Sequence, residues 1–194
     1  MSSENENKNV IDLKKFGPIA AAVVLALVLL GYAIAFVVNE SRYVVYTDKY
    51  YKIKIKYPKD WKALPDHGGT VVTFISVPDN ELDSLAENLN ISVSDLPEHI
   101  ATLEQFSKIA TVQMEAVFEK NIEILQSQEI VFAGMPAYSY VVQTTQSPAI
   151  NLRFVWFFRD NKAYVITYVI QEFQYKKYLK IFNYMLRSFS IEAR

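Results

Sequence analysis

Residues 16–38 read FGPIAAAVVLALVLLGYAIAFVV and carry no charge. A helix of this length rises about 35 Å, enough to cross the ~30 Å hydrocarbon core of a bilayer with some tilt. Pro18 falls in the first turn, where its missing N–H removes no helical hydrogen bond. No polar face interrupts the run, so it does not suit a helix half-buried in a soluble core. A cleaved signal peptide is the competing reading, with Lys14 and Lys15 as basic flank and Ala33 and Ala35 as an A-x-A site, cut after Ala35. The apolar run is longer than a signal peptide's central region needs, which favours a retained anchor. Lys14 and Lys15 abut its start, whereas Arg42 is the first basic residue after it. That bias predicts a cytoplasmic N-terminus with the C-terminal domain outside, in a periplasmic, extracellular or lumenal space.

The predicted organisation is a disordered tail over 1–15, a transmembrane helix over 16–38, a juxtamembrane linker and first strand over 39–49, and a globular domain over 50–194. The tail mixes acids and lysines with few apolar groups and has nothing to bury. Net charge is −1 over 194 residues, which does not suit a chain that coats nucleic acid by counterion release. Cysteine is absent, excluding disulfides, thiolate metal sites, a cysteine nucleophile and an acylated-cysteine anchor.

Beyond the span, period-two alternation predicts strands at 43–47, 50–57, 70–77 and 88–94. The clearest is YKIKIKY, with Tyr51, Ile53, Ile55 and Tyr57 on one side and Lys52, Lys54 and Lys56 on the other. Thr102 and Gln105 form a capping box ahead of Leu103, Phe106, Ala110, Met114 and Val117, which predicts an amphipathic helix over 103–119. Strands follow at 123–132, 137–144, 151–158 and 163–170, the last two joined by an Asp160–Asn161 turn, and a striped helix closes the chain over 172–188. Short connections imply antiparallel pairing, and each striped helix must bury a face on the sheet. The fold class expected is α+β.

Several segments resemble the PsbP-like family, named for the extrinsic lumenal protein of photosystem II: 57–61 (YPKDW), 74–78 (FISVP), 87–93 (ENLNISV), 102–106 (TLEQF), 134–137 (GMPA), 163–168 (AYVITY), and Ser188 with Phe189. Their order covers most of residues 50–190. The resemblance implies an α/β/α sandwich, a central antiparallel sheet between helices, here preceded by one transmembrane helix. It also implies an anchored or secreted prokaryotic-type module rather than an enzyme. In PsbP itself the role is to stabilise the oxygen-evolving complex and help it retain calcium and chloride; this chain has a membrane helix where a plant PsbP has a transit peptide.

The remaining constellations are sparse. His67 and His99 are the two histidines, far apart in the chain, and no nucleophile elbow, Walker loop or dinucleotide fingerprint occurs. Asp79, Glu81, Asp83 and Glu87 fall at positions 1, 3, 5 and 9 of a twelve-residue calcium loop, but Ser84 stands where glycine is required and Asn90 where a bidentate glutamate is. They are weak cation candidates, better read as a solvated acidic surface. Lys52, Lys54 and Lys56 are candidates for contact with a partner or anionic headgroups, against a bland reading as an edge strand protected by lysines. Tyr138, Tyr140, Trp156, Tyr164 and Tyr168 are candidates for a ligand groove, against a role in packing. No cofactor, catalytic residue or nucleic-acid partner is expected. The predicted function is a non-catalytic, membrane-tethered, extracytoplasmic binding or assembly module, with the bilayer and an unidentified protein as partners. The alternatives are a small-ligand or lipid-binding domain using the aromatic sheet face, and a photosystem II-associated assembly or stability factor.

Overall fold

A computed structural model of the chain describes residues 13–78, 86–97, 100, 102–119 and 121–192, with side chains from residue 24 onward. Two units emerge, residues 1–42 and 43–194. The first contains helix α1, Leu13–Glu40, longer than expected at both ends. Residues 1–12 of the expected tail lie outside the described residues, while 13–15 are helical rather than disordered. From Val24 to Val38 its large apolar side chains are all exposed, Val38 least at 48%. The side chains of 16–23, the first part of the expected span, lie outside the described residues. Among the described residues no helix is long and apolar enough to cross a membrane.

The second unit is built on two antiparallel sheets. The small one has the order β1–β2–β10, from Tyr43–Asp48, Ile53–Pro58 and Ser190–Ile191. The large one runs β3–β4–β5–β9–β8–β7–β6, from Lys62–Pro65, Val72–Ile75, Asn88–Asp95, Lys162–Gln171, Ile150–Arg159, Met135–Thr144 and Ile122–Phe132. The antiparallel α+β prediction therefore holds. Two short strands were not expected: β3, which ends on Pro65, and β10, which follows the last helix.

Register assigns every side chain of the large sheet to a face. Phe74 pairs with Leu89, Leu89 with Tyr168, Ile166 with Val155, and Phe157 with Ala137, so these residues share one face. Helix α3, Tyr175–Ser188, covers that face with Tyr178, Phe182 and Met185. The small sheet joins the same core through Ile53 and Ile55, both at most 1% exposed. A flat stack of Phe182 on Tyr168, centroids 4.5 Å apart, ties helix to sheet, and Trp61 meets the edge of Phe182 at 5.5 Å. Leu103–Val117 forms α2 on the opposite face, and its predicted capping box is made: the Gln105 N–H donates to Thr102 Oγ1 at 3.1 Å, and the Thr102 N–H to Gln105 Oε1 at 3.3 Å. The closing helix begins with a 3₁₀ turn at Glu172–Gln174.

Two of the three long hairpins, β6–β7 and β8–β9, turn on paired left-handed residues, Ala133 (φ 49°) with Gly134 (φ 79°) and Asp160 (φ 53°) with Asn161 (φ 58°). That geometry matches the right-handed twist of the flanking strands. Lys52 is also left-handed, φ 55°, and stands outside β2. The expected strand over 50–57 therefore starts at Ile53, and only Lys54 and Lys56 alternate on it. Nor is β2 an edge: β1 pairs along its whole length, while Ser190 and Ile191 pair with Lys54 and Ile53 on the other side.

Candidate functional site

The face of the large sheet beneath α2 collects aromatics by alternation. Tyr138 pairs with Trp156 and Tyr140 with Phe154 across β7 and β8. Their rings form a ladder: Tyr138 lies over Trp156 at 6.1 Å with planes 6° apart, Tyr140 over Trp156 at 5.4 Å, and Tyr138 over Tyr140 at 5.9 Å. Trp156 is 1% exposed, and its indole N–H donates to Ser107 Oγ of α2 at 2.8 Å, satisfying a group that burial would otherwise leave unpaired. Phe106 meets the edge of Trp156 at 6.0 Å and of Phe158 at 5.5 Å.

Helix α2 buries only Ser107 and Met114 outright. An open groove of about 380 Å³ remains between it and strands β8 and β9, with Phe106, Met114, Val117, Leu152, Phe154 and Trp156 among its walls. That volume lies within the ordinary range for small-ligand sites. Gln113 is the polar side chain at its rim, and the indole N–H is already committed to Ser107. Such a surface suits an apolar ligand; among the described residues its walls hold no nucleophile, acid or base.

Of the five predicted groove residues, Trp156 lines the groove, and Tyr138 and Tyr140 stack beside it in the ladder without lining it. Tyr164 and Tyr168 lie on the other face, so a single groove of all five does not form. Period two explains the division: Tyr164 pairs with Phe157 and Tyr168 with Arg153, both one position out of phase with Trp156. Tyr164 stacks on Phe157 at 5.0 Å in the core. Burial pushes the Tyr168 phenol up, and a hydrogen bond from Arg153 partly offsets this. Burial likewise raises the phenols of Tyr164 and of Tyr46, the latter with help from Asp48 and Asp66. Phe106, Met114 and Val117, which sequence reasoning assigned only to helix packing, supply the far wall of the groove. Their spacing could not separate core-facing from groove-facing positions.

Lys54 forms an ion pair with Glu192, which holds the Glu192 carboxyl below the usual carboxylate range. The backbone N–H of Lys56 donates to Ser188 Oγ at 2.8 Å. Lys52 lies beside a separate cleft with Tyr50, Arg159 and Glu192. Asp79, Glu81, Asp83 and His99 lie outside the described residues. Glu87, the remaining cation candidate, is fully buried, and its Oε2 accepts from Ser76 Oγ at 3.1 Å, so it is not part of a solvated acidic surface. Among the described residues no group of three or more metal-ligating side chains gathers.

No curated protein matches the chain by sequence. Among solved structures, it is similar to cyanobacterial PsbP (CyanoP) from Synechocystis sp. PCC 6803, with TM-score 0.60 and 16% identity over 78% of this chain and 93% of that one. LpqN of Mycobacterium tuberculosis, described as involved in cell envelope biogenesis, gives TM-score 0.54 and 11% identity over 73% and 83%. The Saccharomyces cerevisiae Ran-binding protein Mog1p gives 0.52 and 13% over 77% and 95%. The superpositions establish a shared fold, and at these identities the fold alone. The PsbP family profile matches residues 41–191, nearly the whole of the second unit, and on that match the chain belongs to the PsbP family.

Proposed function

We propose that this protein is a non-catalytic binding or assembly module, tethered to a membrane by residues 16–38 and presenting its PsbP domain on the extracytoplasmic side. The observation that carries the reading is the uncharged run of 16–38, whose described part is a helix with apolar side chains exposed all round. A helix apolar on every side has no aqueous face, and a bilayer is the solvent that fits it. Lysines before the span and a family domain after it support the orientation. Relatives by fold include one described as Ran-binding and one described as involved in cell envelope biogenesis, which fits action through association. Lys54 and Lys56 are the side chains this reading offers to an acidic partner or to anionic headgroups.

Chemical crosslinking of the full chain in native membranes, followed by affinity purification after solubilisation, tests this reading. A reproducible partner, with yield reduced by the paired substitutions Lys54→Glu and Lys56→Glu, is expected. Repeated recovery of the chain alone counts against it.

The groove beneath α2 favours a second reading, a domain that binds a small apolar ligand or lipid against Trp156. Native mass spectrometry of the full chain ejected from detergent would then show a bound mass that Ala110→Trp displaces.

A further inference from the structure

A second cavity, of about 370 Å³, lies on the opposite face of the sheet, between the turn end of the β6–β7 hairpin, β8 and α3. Phe132, Val155, Leu186 and Phe189 give it apolar walls. Into this apolar lining the fold brings two guanidinium groups, Arg153 from the centre of β8 and Arg187 from the last turn of α3. Arg153 is half-buried. Its Nε donates to Ser139 Oγ at 3.1 Å, and it stands directly opposite Tyr168 of β9. Both neighbours are neutral, burial raising the Tyr168 phenol further above its ordinary value. Among the described residues neither Arg153 nor Arg187 forms an ion pair with a carboxylate.

A guanidinium partly withdrawn from water keeps its full charge, and neutral acceptors orient it without compensating it. Its fork has five N–H donors, of which Ser139 takes the one at Nε, and is matched in shape to a carboxylate. We propose that this cavity binds a small amphipathic anion, a medium-chain acyl carboxylate, with its head paired to Arg153 and its tail against Phe132, Leu186 and Phe189. The volume admits one small molecule and is at the lower end for ligand sites. Arg187, exposed at the rim, adds long-range attraction to the anion. This site is separate from the groove beneath α2, and neither depends on the other.

Octanoate and its neutral counterpart octanamide, titrated into the full chain in zwitterionic nanodiscs with empty nanodiscs subtracted, separate head from tail. Saturable octanoate binding is expected, with octanamide at least about tenfold weaker, the scale of a lost charge-assisted hydrogen bond. Arg153→Gln should weaken octanoate by a similar factor while leaving octanamide unchanged, and Arg187→Gln should have a smaller effect that salt removes. Leu186→Trp keeps both arginines and fills the cavity, so it should abolish binding even if Arg153→Gln fails to fold. No octanoate binding, equal binding of octanamide, or octanoate affinity unchanged in Leu186→Trp would overturn the assignment.

Discussion

Replacing Ser107 with Ala tests how α2 is held on the sheet. The substitution removes one hydroxyl and leaves the Trp156 indole N–H, 1% exposed and bonded only to that hydroxyl at 2.8 Å, without an acceptor. An orphaned buried donor costs about 1–3 kcal/mol, more than the net value of the bond itself. With a urea m-value near 2 kcal/mol/M, the unfolding midpoint of residues 43–194 should fall by about 0.5–1.5 M. Because α2 buries only Ser107 and Met114 outright, part of the loss should appear as local opening, with faster amide exchange in α2 than in β8. Trp156→Phe provides the control: with the indole gone, Ser107→Ala removes an unneeded hydroxyl and should cost close to nothing, giving a coupling energy of about 1 kcal/mol or more. An unchanged midpoint for Ser107→Ala in the native background, or equal costs in both backgrounds, would refute this account of the helix.

Phe182→Ala should be the more damaging core change, about 3–5 kcal/mol by urea denaturation, since the ring is fully buried against Tyr168 and Trp61. Thr102→Ala should cost about 1 kcal/mol by opening the capping box of α2, with a fall in helicity read by circular dichroism. Gly134→Val should destabilise the β6–β7 hairpin by about 1–2 kcal/mol in the same denaturation assay, since φ is +79° there and a β-branched side chain resists the left-handed region. Tyr168 has its phenol raised above 10.0 mainly by burial, so its contribution to stability is complete below the unfolded value near pH 10 and is lost as pH climbs through the folded value. Alkaline melts should therefore steepen above pH 10, and Tyr168→Phe should reduce that slope.

Alternation in the sequence located most of the fold, because a strand with one face in the core and the other toward water carries a period of two. Ile53 and Ile55 against Lys54 and Lys56 show it most clearly, and Thr102 with Gln105 announced α2 through chemistry rather than hydrophobicity. What escaped notice were elements too short to have a period. Ser190 and Ile191 make a two-residue strand, yet their pairing turns β2 from an edge into an interior strand and changes what its lysines face. Of the five aromatic candidates, Trp156 lines the groove beneath α2. Tyr138, Tyr140 and Trp156 do meet, whereas Tyr164 and Tyr168 belong to the other face, a division set by cross-strand register, which composition does not encode. Arg153 drew no attention because a lone arginine on an aromatic strand looks like a solvent-facing interruption. Its setting opposite Tyr168 and beside Ser139 appears only once β7, β8 and β9 are aligned.

The tether and the side on which the domain works are tested most directly by labelling an introduced cysteine in intact cells, since the chain has none of its own. Lys59→Cys, at an exposed position just after β2, should react with a membrane-impermeant maleimide in intact spheroplasts, with the labelled chain recovered wholly in the membrane fraction. Labelling that requires lysis, or labelled chain released into the soluble fraction, would contradict an anchored extracytoplasmic domain.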